Sequence, residues 1–394
     1  MRILHLSWEY PPVVYGGLGR HVHALAEAQA ALGHEVTVIT QAGDGAADDE
    51  CLNGVRIVRV MPVAPAPPDW HDGFLDWCFG FNTSVCMVAV SLVRDWRPDV
   101  LHVHDWLQAQ SSVVMREVAG VPLVLTMHAT ESGRTAGLLG GPFSKGIDAT
   151  EAWLVSEADR VIVCSEYMRA EVAGLFGREP GQMTVIPNGI RVADWTTTDA
   201  GKRAARRRYG RPLICYTGRL EPEKGVQTLI EAMPAVRRAV PDGRAVVIGT
   251  GTAESELRHS ARRRRLADAV TFAGYVSDRD LRATLAASDV AVVPSLYEPF
   301  GFVALEAMAL GTPLVAARTG GLAGIVADGH TGLLFPPGDR AGLAEAIVQV
   351  LQHPRAARTR AAAARAQVDE HYSWPGIAEA TVDVYRDVVA EYAA

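Results

Sequence analysis

The chain has 394 residues, 48% of them apolar and 21% charged, with a net charge of −7. That balance excludes a disordered chain, a fibre and a disulfide miniprotein, and the length suits two or three domains. The negative sign argues against nucleic-acid binding, which depends on neutralising phosphates. No apolar run approaches the roughly 18 residues that span a bilayer, so no transmembrane segment is expected. The opening strand runs at once into Trp8-Glu9-Tyr10-Pro11-Pro12, without the long apolar stretch of a signal peptide. Five cysteines, an odd number, are scattered without a C-x-x-C pair. A reduced, cytoplasmic protein without a zinc site is the expectation.

In chain order, Val/Ile/Leu-rich strands are predicted at 3–6, 36–39, 55–60, 100–103, 123–127, 161–164 and 184–186. Helical patterns separate many of them, at 21–32, 74–93, 111–118 and 166–176. Residues 41–50 and 131–145 read as loops; the second is Gly-rich, and is either a mobile lid or a surface excursion. The polar, basic stretch 194–212 reads as a linker with room for a short helix. Strands then recur at 213–217, 245–248, 270–273, 290–293 and 314–317. Helices recur at 227–238, 254–265, 281–287, 304–310 and 343–351, and a last one covers about 375–392. Near-continuous apolar strands alternating with helices mean parallel sheets covered on both faces. The expected class is α/β: two doubly wound domains, 1–193 and 194–372, facing across a cleft, with the tail 373–394 packing back on the first. Ligands of such sheets lie beyond the carboxyl ends of the strands.

Candidate chemistry sits at those ends. Glu298 and Glu306 flank the predicted start of a helix near Gly301, whose free N–H groups suit a diphosphate. A Glu that merely complements the helix dipole is the plainer reading. Arg219 and Lys224 follow the strand 213–217; Lys224 is one of three lysines beside 35 arginines, which hints at a need for a compact charge. A solvated loop is the alternative. Tyr15-Gly16-Gly17-Leu18-Gly19 precedes a helix, so backbone N–H groups can approach an anion, yet the spacing is not G-x-G-x-x-G. His102-Val103-His104-Asp105 and His128 close two further strands, in either a structural or a functional role. Asp278-Arg279-Asp280 reads as helix capping rather than metal binding. Trp70, Phe74, Trp77 and Phe81 share one helical face, as core or as a platform for an acceptor.

Taken together, these residues resemble the retaining family 4 glycosyltransferases, which have the GT-B fold, over essentially the whole chain. The motifs occur in order: Gly16-Gly17-Leu18, His104-Asp105-Trp106, His128, Pro187-Asn188-Gly189, Arg219 with Lys224, Glu298 to Glu306, and Thr319-Gly320-Gly321-Leu322. Within the family, 97–106, 318–322 and Ser373-Trp374 resemble glycogen and starch synthases. Residues 7–23 and 297–307 are similar to actinobacterial α-1,4-glucosyltransferases that make glycogen or methylated glucose polysaccharides. Two positions depart: Val14 stands where starch-type synthases carry the Lys of Lys-x-Gly-Gly, and Gly324 replaces the acid of Gly-Gly-x-x-Glu.

The resemblance implies an acceptor-binding first domain and a nucleotide-sugar-binding second one. Glu298 would contact the transferred sugar, helped by the N–H groups of Phe300 and Gly301, and Glu306 would hold the ribose. Arg219 and Lys224 would neutralise the diphosphate. Gly16 and Gly17 would approach it, His128 would lie against the donor sugar, and Asp105 and Tyr15 would serve the acceptor. The implied reaction moves glucose from ADP- or UDP-glucose to the 4-hydroxyl of an α-1,4-glucan, with retention and without a metal or other cofactor. Transfer to a lipid or small metabolite stays open, as does a nucleotide-sugar-binding protein or epimerase.

Overall fold

The computed structural model describes residues 1–63 and 73–393, so Trp70 lies outside the described residues. Two compact units form: Met1–Gly189 with Trp374–Ala394, and Ile190–Ser373.

The first unit runs β1 (Arg2–Leu6), α1 (Gly17–Ala31), β2 (Glu35–Gln41), β3 (Asp49–Leu52), β4 (Val55–Val60), α2 (Phe74–Asp95), β5 (Val100–His104), α3 (Ala109–Ala119), β6 (Leu123–Met127), α4 (Glu131–Arg134), α5 (Gly141–Glu157), β7 (Arg160–Val163), α6 (Glu166–Phe176) and β8 (Met183–Val185). Its eight strands order as β3-β4-β2-β1-β5-β6-β7-β8, all parallel but for the β3–β4 pair. The second unit runs α7 (Asp199–Tyr209), β9 (Leu213–Thr217), α8 (Val226–Ala239), β10 (Arg244–Ile248), α9 (Glu254–Arg263), β11 (Val270–Gly274), α10 (Asp278–Ala287), β12 (Val290–Val293), α11 (Phe302–Ala309), β13 (Leu314–Ala317), α12 (Leu322–Ile325), β14 (Leu333–Phe335), α13 (Arg340–Gln352) and α14 (Pro354–His371). Its sheet is fully parallel, β11-β10-β9-β12-β13-β14. α15 (Trp374–Tyr392) returns to the first unit and packs on α1. Both sheets reverse their winding between first and fourth parallel strands, at β1|β5 and β9|β12. These are the switch points beyond which ligands bind.

Several sequence expectations need correction. The loop predicted over 41–50 ends in a strand, because Asn53-Gly54, at φ 51° and 82°, makes a two-residue hairpin turn pairing Leu52 with Val55. The Gly-rich stretch 131–145 holds α4 and the start of α5, with Thr130 capping α4 by accepting from the Gly133 N–H. The basic stretch 194–212 does contain the helix it had room for: α7 packs on α10, with Arg206, Arg207 and Arg208 complementing its carboxyl end. β14 and α14 lie beyond the sequence expectation: three residues are too few to show a period, and α14 buries only alanines and a valine.

α2 is long and apolar enough to cross a membrane by length and composition, but half of it is buried within its unit. Phe74, Trp77 and Phe81 stack there at 5.4 and 5.5 Å between ring centroids, and all three are buried. That is a core face rather than an exposed platform. Ser277 caps α10 by accepting from the Asp280 N–H, so Asp278-Arg279-Asp280 opens a helix. Gly189 has a packing reason: a Cβ there would come 2.8 Å from the Trp374 ring.

Candidate active site

Two groups of predicted residues assemble, one beyond each switch point. In the second unit, the loop after β9 and the loop after β12 are sewn together. The N–H groups of Leu296 and Tyr297 donate to the Glu223 carbonyl at 2.7 and 3.2 Å. Gly225, at φ 69°, lets the strands' ends meet; a Cβ would stand 1.9 Å from the Pro294 carbonyl oxygen. Across this seam the Lys224 ammonium pairs with Glu298 Oε2 at 3.0 Å, which also accepts from Ser295 Oγ at 3.0 Å. Arg219 is more exposed and lies 3.6 Å from Glu223; its carbonyl accepts from the Tyr216 hydroxyl.

The Thr319-Gly320-Gly321 segment backs the Glu298 loop. Gly321 N–H donates to the Glu298 carbonyl at 2.8 Å, and Thr319 Oγ1 to the Leu296 carbonyl at 3.1 Å. Gly320 has φ 51°, and a Cβ would fall 1.9 Å from the Glu298 carbonyl oxygen, so only glycine fits. Gly301, at φ 124°, turns the chain into α11, and Phe300 is buried beside it. Glu306 lies on α11 past its first turn and is buried. The helix start, a lysine and the half-buried Glu298 carboxylate therefore share one loop cluster, an arrangement that suits an anion carrying hydroxyls.

The first unit is built differently. Glu9, missed in the sequence, is a buried carboxylate that accepts from the N–H groups of Tyr15 and Gly16 at 2.8 and 2.9 Å. It thereby shapes the turn into α1 and engages the Gly16 N–H within the chain. Burial raises its pKa, against the pull of those bonds. Gly19 leaves room for it: a Cβ would meet Glu9 at 3.0 Å. Gly17 opens α1, and Tyr15 stacks on Trp8 with centroids 4.9 Å apart while remaining half-exposed.

Asp105 plays the same part after β5. It is 4% exposed and accepts from the His128 N–H at 2.7 Å, and burial lifts its pKa to about 6. Its own backbone sits at φ 57°, ψ −175°, a conformation L residues rarely adopt, and such strain concentrates at functional loops. His128 is partly buried; desolvation, and then the charge of Arg134, push its pKa down to about 3. Behind it lie His5, His21, His102 and His104, all buried. His104 Nδ1 is 3.3 Å from His128 Nε2, and His5 Nδ1 is 3.1 Å from His104 Nε2. Of this group the sequence drew attention only to His102, His104 and His128. The signal for His5 is its place on a central strand, in register with His102; His21 lies on α1 and has no such signal.

Comparisons with known proteins agree with the geometry. Residues 15–194 match the model of Glycosyltransferase Family 4, and residues 199–367 match Glycosyl transferases group 1. The chain is 43% identical to the glycogen synthase of Mycobacterium tuberculosis over 98% of its own length and 94% of that protein's. It is 32% identical to the alpha-maltose-1-phosphate synthase of Mycolicibacterium smegmatis, covering 99% of this chain and 100% of the other. The solved sucrose-phosphate synthase of Thermosynechococcus elongatus superposes with a TM-score of 0.85 at 28% identity, over 99% of each chain. Two parallel-sheet α/β units of the GT-B type, each with candidate residues at a switch point, and relatives matched end to end lead to one conclusion. The chain belongs to the family 4 glycosyltransferases, as an enzyme related to glycogen synthase.

Proposed function

We propose that this enzyme transfers glucose from a nucleoside diphosphate glucose, ADP- or UDP-glucose, to the 4-hydroxyl of an α-1,4-glucan end, keeping the anomeric configuration. The observation that carries the reading is the Lys224–Glu298 pair across β9|β12, set beside the start of α11. In this assignment Lys224 and Arg219 take the diphosphate, Glu306 the ribose, and Glu298 the hydroxyls of the sugar. Within the first unit, His128, Gly17 and Tyr15 are the residues assigned to substrate. The 43% identity to a glycogen synthase over nearly the whole chain supports glucan as the acceptor.

The chemistry follows from where charge develops. The bond from C1 to the phosphate oxygen breaks, its electron pair leaves on the diphosphate, and the acceptor's O4 bonds to C1 on the same face. The acceptor's proton goes to a phosphate oxygen of the leaving group. A fixed ammonium, a guanidinium and N–H groups aimed at that phosphate stabilise the transition state without reorganising.

The test is a panel of ADP-, UDP- and GDP-glucose against maltooligosaccharides, with a phosphorylated monosaccharide as a competing acceptor, reading product length and linkage. Elongation of the glucan through α-1,4 bonds is expected. Exclusive use of the phosphorylated sugar would replace the glucan reading. Lys224→Ala should lower kcat about a hundredfold, roughly 3 kcal/mol, while circular dichroism stays unchanged. Near-normal turnover in Lys224→Ala and Glu298→Ala alike would remove the role assignment.

A further inference from the structure

We propose that a hydrogen-bonded line, Tyr385–Gln29–His5–His104–His128, fixes the tautomer of His128 and presents its Nδ1 as a bare acceptor. Every member lies in the first unit, and none but His128 carries a role so far. Gln29 is wholly buried between α15 and β1. It directs Nε2 to the Tyr385 hydroxyl at 3.1 Å and Oε1 to His5 Nε2 at 2.7 Å.

The rest follows by elimination. An amide oxygen only accepts, so His5 carries its proton on Nε2. A neutral imidazole has one N–H, so His5 Nδ1 accepts, and His104 Nε2, 3.1 Å away, donates to it. His104 Nδ1 then accepts, and His128 Nε2, at 3.3 Å, supplies the proton. His128 is left with an unprotonated Nδ1. The condition is that each ring be neutral, and burial enforces it. His5 is held down to about 4, and His104 well below its ordinary value by burial and by the neighbouring rings.

The far end closes consistently. Tyr385 accepts from Gln29 and donates to His102 Nδ1 at 2.5 Å. His102 therefore donates from Nε2 to Thr126 Oγ1 at 2.7 Å. Turning the Gln29 amide over would reverse every donor in the line. The array thus has two states, and the orientation of the Gln29 amide, with Nε2 on the Tyr385 hydroxyl and Oε1 on His5, sets which one is occupied. Gln29 and Tyr385 are positioning residues: they act through two intervening rings on a group they do not touch.

The consequence for transfer rests on the function proposed above. A neutral His128 with a bare Nδ1 accepts from a sugar hydroxyl and adds no positive charge beside an anomeric carbon that is itself becoming positive.

Long-range proton–nitrogen correlation on the full-length, 15N-histidine-labelled protein without ligand reads the tautomers directly; His128→Gln assigns the signal. The Nε2–H form is expected for His5, His102, His104 and His128. Gln29→Leu should convert His128 to a mixture of tautomers and lower kcat about tenfold with little change in the donor KM. Should Gln29→Leu not fold, Tyr385→Phe gives the same comparison, and the unsubstituted protein alone remains decisive. A proton on His128 Nδ1 in that protein, or an unchanged His128 signal in both variants, overturns the line. A mixed tautomer with unchanged kcat overturns its role in transfer. Failure to use any nucleotide-glucose would defeat the functional reading and leave the tautomer result standing.

Discussion

The two units share the order of their first six parallel strands, yet they treat charge at their switch points in opposite ways. In the second, carboxylates face cations: Lys224 with Glu298, Arg219 with Glu223. In the first, the carboxylates of Glu9, Asp105 and Glu151 are buried and take backbone N–H groups. The imidazoles around Asp105 are held neutral by desolvation. On the function proposed above, the second unit meets a diphosphate and needs formal charge within reach. The first, meeting hydroxyl-rich sugar on that reading, is better served by fixed, neutral donors and acceptors, whose strength comes from a low dielectric. The fold permits either, because the loops and not the sheets decide.

The largest blow to this division should come from Gly320→Ala. The added methyl overlaps the Glu298 carbonyl, and φ 51° is strained for alanine. A loss on the order of 4 kcal/mol is expected in urea unfolding, together with loss of transfer. Unchanged stability would mean the Glu298 loop is not braced as described.

Acidification should strike the first unit selectively. The folded pKa values of His5 and His128 are depressed to about 4 and 3, so the unfolded chain binds protons first. Stability is fully present above pH 6.5 and falls as pH drops toward 4, by about 2 kcal/mol per such ring at pH 5. Asp105, raised to about 6, and Glu151, raised to about 8, bind protons on folding and oppose the trend, but the buried rings outnumber them. Hydrogen exchange at pH 7 and pH 5 should show protection lost in residues 1–189 before 190–373. Equal losses in both units would break the contrast.

Asp105→Ala removes the acceptor for the His128 N–H and leaves alanine at φ 57°. About 2 kcal/mol of destabilisation is expected, with the His128 amide losing its exchange protection. The smallest effect belongs to Arg264→Ala. It breaks a surface pair with Glu231 at 2.7 Å, so both stability (within about 0.5 kcal/mol) and turnover should hold.

Much of this was legible before any coordinates. Strands of unbroken Val, Ile and Leu announced two parallel sheets, because burial on both faces leaves no polar alternation. Arg219, Lys224, Glu298 and His128 stood out because each follows such a strand. Asn53-Gly54 is a hairpin signal of the same local kind, since both residues take positive φ. Glu9 and Gln29 were not legible, since a buried polar residue far from its partner in sequence looks like any other. Tyr385 lies 356 positions from Gln29, which it touches.

Sequence alone, then, determined the fold class, most of the elements in their order and which loops hold the candidate residues. Those depend on local periodicity, on glycines at strained turns and on charge placed after apolar strands. Only the tertiary structure decided which nitrogen of each imidazole faces which partner, which carboxylates are spent on backbone, and that Lys224 meets Glu298. Those facts depend on distances between segments far apart in the chain, and on the exclusion of water that gives such contacts their strength.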